Sequence, residues 1–88
     1  MQINLNHLRI FYYAAKERNL TKAAEALFVT QPAVTMQIKA LEQYLETALF
    51  RKRGKFLELT DQGNMLFNYA EKIFLVVGEM EHALKNFA

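Results

Sequence analysis

The segment formed by residues 20–42 constrains the fold more than any other part of the chain, because it encodes two helices separated by a very short turn. Ala23, Ala24 and Leu27 give the first of these helices a narrow face of small residues, so a second helix can cross it closely. Thr30 is a favourable N-cap for that second helix. The segment therefore predicts a helix-turn-helix, although an ordinary αα-hairpin with a merely solvated outer face remains the alternative.

The second helix of the pair is predicted to be amphipathic. Pro32 falls in its first turn, where a missing N–H costs nothing. Residues at helical spacing form one buried stripe: Val34, Ile38, Leu41 and Leu45. The opposite face is polar and weakly basic: Gln31, Pro32, Thr35, Met36, Lys39 and Gln43. Such a face fits a DNA major groove, and the residues expected to contact bases are Gln31, Pro32, Thr35 and Met36.

Two further elements complete the predicted DNA-binding unit. A first helix is expected from about Asn4 or Asn6 to Arg18, and Thr21 is expected to cap the next helix. After the helix pair, Gly54 permits a tight turn between two short strands, which predicts a basic β-hairpin. The cations of this hairpin could simply solvate a turn, but beside a helix-turn-helix they are placed to reach DNA. The residues expected to contact the DNA backbone are Thr21, Lys22, Thr30, Lys39, Arg51, Lys52, Arg53 and Lys55.

The last segment predicts one long helix that begins after Thr60 and can run unbroken to Ala88. Its apolar residues alternate steps of four and three and form a seam: Leu66, Ala70, Ile73, Val77, Met80, Leu84 and Phe87. A small three-helix core cannot cover so long a helix, and its distal half is too apolar for water. We expect the seam to be a homodimer interface, with packing against a further C-terminal domain as the alternative.

Taken together, these motifs resemble the N-terminal DNA-binding module of the LysR-type transcriptional regulators. The stretches that carry the resemblance span about residues 3–66 without a gap in spacing: LNHLRIF (5–11), LTKAA (20–24), TQPAVT (30–35), QIKALE (37–42), LFRK (49–52) and LTDQG (59–63). The resemblance implies a mainly α winged helix-turn-helix over residues 1–60 and a linker and dimerisation helix over residues 61–88. Met36 departs from the family, in which many members carry Arg at this position. Lys52 and Phe56 lie where the family's wing is often Arg-rich.

The resemblance also implies the partners. They are double-stranded DNA with an interrupted palindromic operator, and a second copy of the chain. A small-molecule effector is implied only through a C-terminal domain that these 88 residues do not include. Whether dimers pair into tetramers in the full-length protein is left open by the sequence.

Composition supports this interpretation and excludes others. The net charge is only +2, but residues 1–60 hold nine Lys or Arg against five Asp or Glu, so the positive charge is local. The chain has no cysteine, and its two histidines, His7 and His82, lie far apart in sequence. We therefore expect a cytoplasmic protein with no metal, no cofactor, no membrane contact and no catalytic activity. A helical adaptor that uses the same fold for protein contacts remains the rival function.

Overall fold

The computed structural model describes residues 2–54 and 56–87 and confirms the predicted fold class, a mainly helical winged helix-turn-helix with a long C-terminal helix. In chain order the elements are α1 (Leu5–Glu17), α2 (Leu20–Leu27), α3 (Gln31–Leu45), β1 (Phe50–Arg53), β2 (Phe56–Leu59) and α4 (Asp61–Lys85). The two strands pair antiparallel, with Phe50 opposite Leu59 and Arg53 opposite Phe56, and form the wing. Gly54 turns the chain between them at a φ of 63°.

Side-chain caps define where the helices begin. Thr30 accepts the Ala33 N–H at 3.3 Å and Thr60 accepts the Gly63 N–H at 3.0 Å, as the sequence predicts. The expectation that Thr21 caps α2 is wrong. The cap is Asn19, whose Oδ1 accepts the Lys22 N–H at 2.8 Å. Helix α2 therefore begins at Leu20, which places Thr21 inside the first turn.

Three helices end at non-glycine residues in the left-handed region of backbone conformation. Arg18, Phe28 and Glu46 have φ values of 52°, 58° and 55° and form the C-caps of α1, α2 and α3. The N–H of Arg18, for example, bonds to the Ala14 carbonyl at 2.9 Å. This backbone conformation favours glycine, so each position carries a steric cost that local hydrogen bonding offsets.

The core consists of two adjoining clusters that share α1 and α3. The first joins α1 to the helix-turn-helix and contains Ile10, Ala14, Ala23, Ala24, Val34 and Ile38. The second joins α1, α3 and α4 and contains Leu8, Phe11, Leu41, Leu49 and Ala70. The fully buried Ala23 and nearly buried Ala24 confirm the predicted close crossing of α2 by its neighbour.

Helix α4 has two halves with different surroundings. Its first half packs on α1, where Tyr12 stacks on Phe67 at 5.3 Å and meets Phe74 at 5.6 Å between ring centroids. Its second half is exposed and projects, so the molecule measures 52 × 28 × 20 Å. The helix ends at Lys85 with Asn86 as its C-cap, and Ala88, to which the sequence could extend it, lies outside the described residues. This packing joins the first half of α4 to the unit formed by residues 1–60.

Polar groups attach the wing to the helices on both sides. The Glu42 carboxylate on α3 accepts the Leu49 N–H at 2.7 Å and the Phe50 N–H at 3.4 Å. From the other side, the Thr60 hydroxyl donates to the Ala48 carbonyl at 2.6 Å, and the Thr60 N–H donates to the Leu49 carbonyl at 3.0 Å. The start of the wing is therefore fixed between α3 and α4.

Two glycines of α4 predict opposite effects of the same substitution. A Cβ on Gly63 would overlap the Leu49 carbonyl oxygen, so Gly63→Ala forces a backbone shift and should destabilise the fold by about 1–3 kcal/mol. A Cβ on Gly78 meets nothing within 4 Å, and Gly78→Ala should stabilise the helix by about 0.5–1 kcal/mol. Urea unfolding at one fixed protein concentration measures both changes. A Gly63→Ala variant as stable as the parent would contradict the close approach of α4 to Leu49.

Candidate nucleic-acid interface

The exposed N-terminal turn of α3 carries the side chains predicted to contact bases. Gln31 and Pro32 are exposed, Thr35 is half-buried, and Met36 is 69% exposed. The Gln31 Nε2 donates to the Thr35 Oγ1 at 3.1 Å, so the two polar side chains lie together along one side of the helix. This bond leaves the Gln31 Oε1 and a second Nε2 hydrogen, which are the acceptor and donor that pair with an adenine edge.

A cleft of about 400 Å³ separates this turn from the wing. Its described lining comes from the α1–α2 junction, α3 and the hairpin: Arg18, Asn19, Leu20, Thr21, Gln31, Lys52, Gly54, Phe56 and Leu57. A second cavity of about 160 Å³ lies between α3 and the wing, and Thr35, Lys39, Arg51 and Lys52 are among its lining residues. Six of the residues predicted to contact DNA therefore line these two neighbouring cavities: Thr21, Gln31, Thr35, Lys39, Arg51 and Lys52.

The wing presents its cations on two faces. Arg51 and Arg53 lie on the same face as Glu58, because Glu58 is directly opposite Arg51 in the hairpin register. The Arg51 Nε lies 2.9 Å from one Glu58 carboxylate oxygen and the Arg53 Nη1 lies 3.6 Å from the other. Lys52 lies on the opposite face and lines the cleft. One carboxylate therefore orients two arginines, while the lysine between them faces the recognition helix.

Other predicted backbone contacts lie outside the lining of the two cavities. Lys22 and Thr30 are exposed at the starts of α2 and α3, and Arg53 is exposed near the tip of the wing. Lys55 lies outside the described residues.

The structure corrects the N-terminal part of the predicted seam on α4. Ala70 is 0% exposed and Leu66 packs against the second core cluster, so both contact the chain's own core. Helix α1 covers this face. The apolar side chains that the same part of α4 leaves exposed are Met65 and Tyr69, at 63% and 57%. The remaining predicted members, Ile73, Val77, Met80, Leu84 and Phe87, all retain exposed surface.

Sequence reasoning did not assign Arg18 or Glu58 to this interface, and it named Phe56 only as a departure from the family's wing. Phe56 is 76% exposed on the wing, and Arg18 lines the same cleft as Lys52. Arg18 lies at the end of α1, far in sequence from the hairpin, so only the folded chain shows its position. Glu58 is directly opposite Arg51 in the hairpin. The sequence could have indicated this ion pair, but only once the register of the two strands was known.

Residues 2–54 and 56–87 hold no group of three His, Cys, Asp or Glu side chains arranged to bind a metal ion. Among the helices that these residues form, none is both long enough and apolar enough to cross a membrane.

Comparison with known proteins places this geometry in a family. A family model described as bacterial regulatory helix-turn-helix protein, lysR family, matches residues 5–64. The glycine cleavage system transcriptional activator of Escherichia coli (strain K12) is 46% identical over 81 residues, which are 92% of this chain and 27% of that protein. The transcriptional activator protein NhaR of the same organism is 42% identical over 78 residues, 89% of this chain and 26% of that protein.

A solved structure shows the same fold in contact with DNA. The DNA-binding domain of BenM, in a complex with catB site 1 DNA, superimposes with a TM-score of 0.89 at 32% identity over 94% of this chain and 92% of that chain. The present chain spans only about a quarter of the length of the curated relatives named above. Since the family model covers more than half of the 88 residues, the chain belongs to the lysR family of bacterial regulatory helix-turn-helix proteins.

Proposed function

We propose that this chain is the DNA-binding module of a transcriptional regulator and that it binds a specific double-stranded DNA site as a homodimer. The observation that carries the proposal is the cleft in which Thr21 of α2, Gln31 of α3 and Lys52 of the wing face the same space. A polar recognition turn beside a cation supports both base and phosphate contacts. The regulators among its relatives and the DNA complex of BenM support the same assignment.

Base recognition is assigned to the first turns of α3 in the major groove. Gln31 and Thr35 offer hydrogen bonds to base edges, and Pro32 and Met36 offer apolar contacts such as those with thymine methyl groups. Because Met36 has no charged donor, the bidentate contact that Arg makes with guanine is not available at this position. The backbone contacts are assigned to Thr21, Lys22, Thr30, Lys39, Arg51, Lys52, Arg53 and Lys55.

Dimerisation is assigned to the exposed apolar face of the distal half of α4. Of the predicted seam, Ile73, Met80, Leu84 and Phe87 are 37%, 52%, 68% and 85% exposed, and Val77 is half-buried. Val76, which the sequence analysis did not include, is 61% exposed and widens the face. At about 100° per residue these side chains form one continuous stripe. A second copy related by a two-fold axis would cover it, and the operator would then be an interrupted palindrome.

In this proposal the chain is the N-terminal part of a longer regulator with three parts in sequence. Residues 1–60 form the DNA-binding domain and residues 61–88 the linker helix, which leads to an effector-binding domain for a small molecule. DNA binding assigns the protein to the cytoplasm. It acts as a regulator and not as an enzyme, in line with the relatives named above.

Salt dependence separates DNA binding from the rival adaptor function. If the cations of the interface make about six phosphate contacts per dimer, log K should fall with log salt at a slope of about −5. Fluorescence anisotropy with a labelled duplex over a range of salt concentrations measures the slope. A flat response would favour a protein-binding adaptor, whose apolar interface does not release counterions.

Two substitutions separate base recognition from backbone binding. Gln31→Ala should weaken binding to a selected operator by about 1–3 kcal/mol and leave scrambled duplexes nearly unaffected. Lys52→Ala should weaken binding to both duplexes and reduce the salt slope, because a phosphate contact carries no base identity. The operator is obtained by selection from random duplex DNA, and competition binding compares the variants. Equal losses on both duplexes for Gln31→Ala would contradict the assignment of specificity to α3.

The dimer interface predicts the effect of a charge on the exposed stripe. Met80→Glu would bury a carboxylate without a partner, at a cost of several kcal/mol, and should give a monomer at micromolar concentration. His82→Glu is the matched control, because His82 lies about 200° around the helix from Met80. Sedimentation equilibrium distinguishes the two masses. A dimeric Met80→Glu variant would show that the interface lies elsewhere.

A further inference from the structure

Arg18 occupies a backbone position that suits glycine, and it lines the cleft between α3 and the wing. Its φ of 52° lies in the left-handed region, where a Cβ is unfavourable. The side chain is exposed and the residue lines the cleft together with Thr21, Gln31 and Lys52. The end of α1 thus contributes a cation to the cleft that the wing also lines.

The cleft contains positive charge that its described lining does not neutralise. Two of these lining residues, Arg18 and Lys52, are cations, and none is Asp or Glu. The adjoining cavity that Arg18 also lines contains Glu58, but this carboxylate is already bonded to Arg51 at 2.9 Å and close to Arg53 at 3.6 Å. Within residues 2–54 and 56–87, Arg18 itself forms no ion pair. Among the described residues, its guanidinium therefore has no carboxylate partner.

A phosphodiester matches the chemistry of this space. Guanidinium groups bind phosphate oxygens with two parallel N–H donors, and an ammonium adds a point charge. A cleft of about 400 Å³ between α2, α3 and the wing has room for such a group. We infer that Arg18 is a phosphate-binding residue that, with Lys52, holds one backbone phosphate of the DNA between α1 and the wing. The inference rests on the proposed DNA-binding function.

The test uses the fact that glycine suits the backbone at position 18. Arg18→Gly should fold at least as well as the parent, and yet lose about 30-fold in affinity for random duplex DNA at 0.15 M salt. This magnitude corresponds to two ionic contacts per dimer, which together also reduce the salt slope by about 1.8. Arg18→Lys retains the charge but loses the two parallel donors, so its affinity should lie between those of the parent and of Arg18→Gly. Anisotropy titrations at several salt concentrations and thermal unfolding by circular dichroism provide the measurements.

Matched variants control for backbone and charge. Glu46→Gly relieves the same left-handed conformation at the end of α3 and should not weaken binding. Lys85→Ala removes one positive charge at the end of α4, outside the cleft, and should leave affinity within about twofold, since charges beyond the ~8 Å Debye length at this salt are screened. Arg18→Asn is a second neutral variant that tolerates the left-handed region, and it replaces Arg18→Gly if that variant unfolds.

The outcomes are distinct. If the parent binds duplex DNA with a steep salt slope and the neutral Arg18 variants bind as tightly as the parent, the role of Arg18 is wrong and the proposed function stands. A loss equal to that of Lys85→Ala would also overturn the inference, because net charge alone would explain it. If the parent shows no salt-dependent binding, the proposed function itself fails.

Discussion

The wing depends on the hydrogen bonding of the few residues that precede and begin it. Leu49 is the centre of this attachment. Its N–H bonds to the Glu42 carboxylate of α3, and its carbonyl accepts the N–H of Thr60, the residue that caps α4. Two four-residue strands are too short to be stable by themselves. The attachment therefore determines where Lys52 lies relative to Gln31, and with it the width of the cleft.

A glycine in α4 allows the start of this helix to lie close to the Leu49 carbonyl. Gly63 lies in the first turn of α4 against the Leu49 carbonyl, where a side chain would overlap it. The Thr60 hydroxyl both accepts the Gly63 N–H and donates to Ala48, so one side chain caps α4 and holds the wing. The helix start and the hairpin start are thus one structural unit. A change at either side would alter the position of the cations.

The local features of the fold were predictable because they depend on neighbours in sequence. The buried stripe of α3, the Thr30 and Thr60 caps and the turn at Gly54 all follow from spacing within a few residues. The role of Glu42 was not predictable, because its partners lie seven and eight residues away across a turn. The burial of Ala70 was missed for a related reason. The seam of α4 is regular in sequence, and only the packing of α1 divides it into a core half and an exposed half.

The candidate site shows the same limit. Its polar turn and basic hairpin could be found in the sequence, whereas the cleft between them is a tertiary feature to which Arg18 comes from a third element. The sequence also does not reveal which cations already form ion pairs within the chain. Glu58 engages two arginines of the wing, so counting positive charges overestimates how many are unpaired before DNA binds.

The packing of α4 on α1 also has a mechanical consequence for a dimeric regulator. The stack of Tyr12 on Phe67 and its contact with Phe74 fix the direction of α4 relative to the DNA-binding unit. A two-fold contact between the distal halves of two such helices would then set the separation of the two α3 helices. Operator half-sites read by symmetric dimers are spaced by about 34 Å, one duplex turn, or by multiples of it. In this arrangement the aromatic contacts of α1 and α4, which touch no DNA, determine which half-site spacing the dimer can bind.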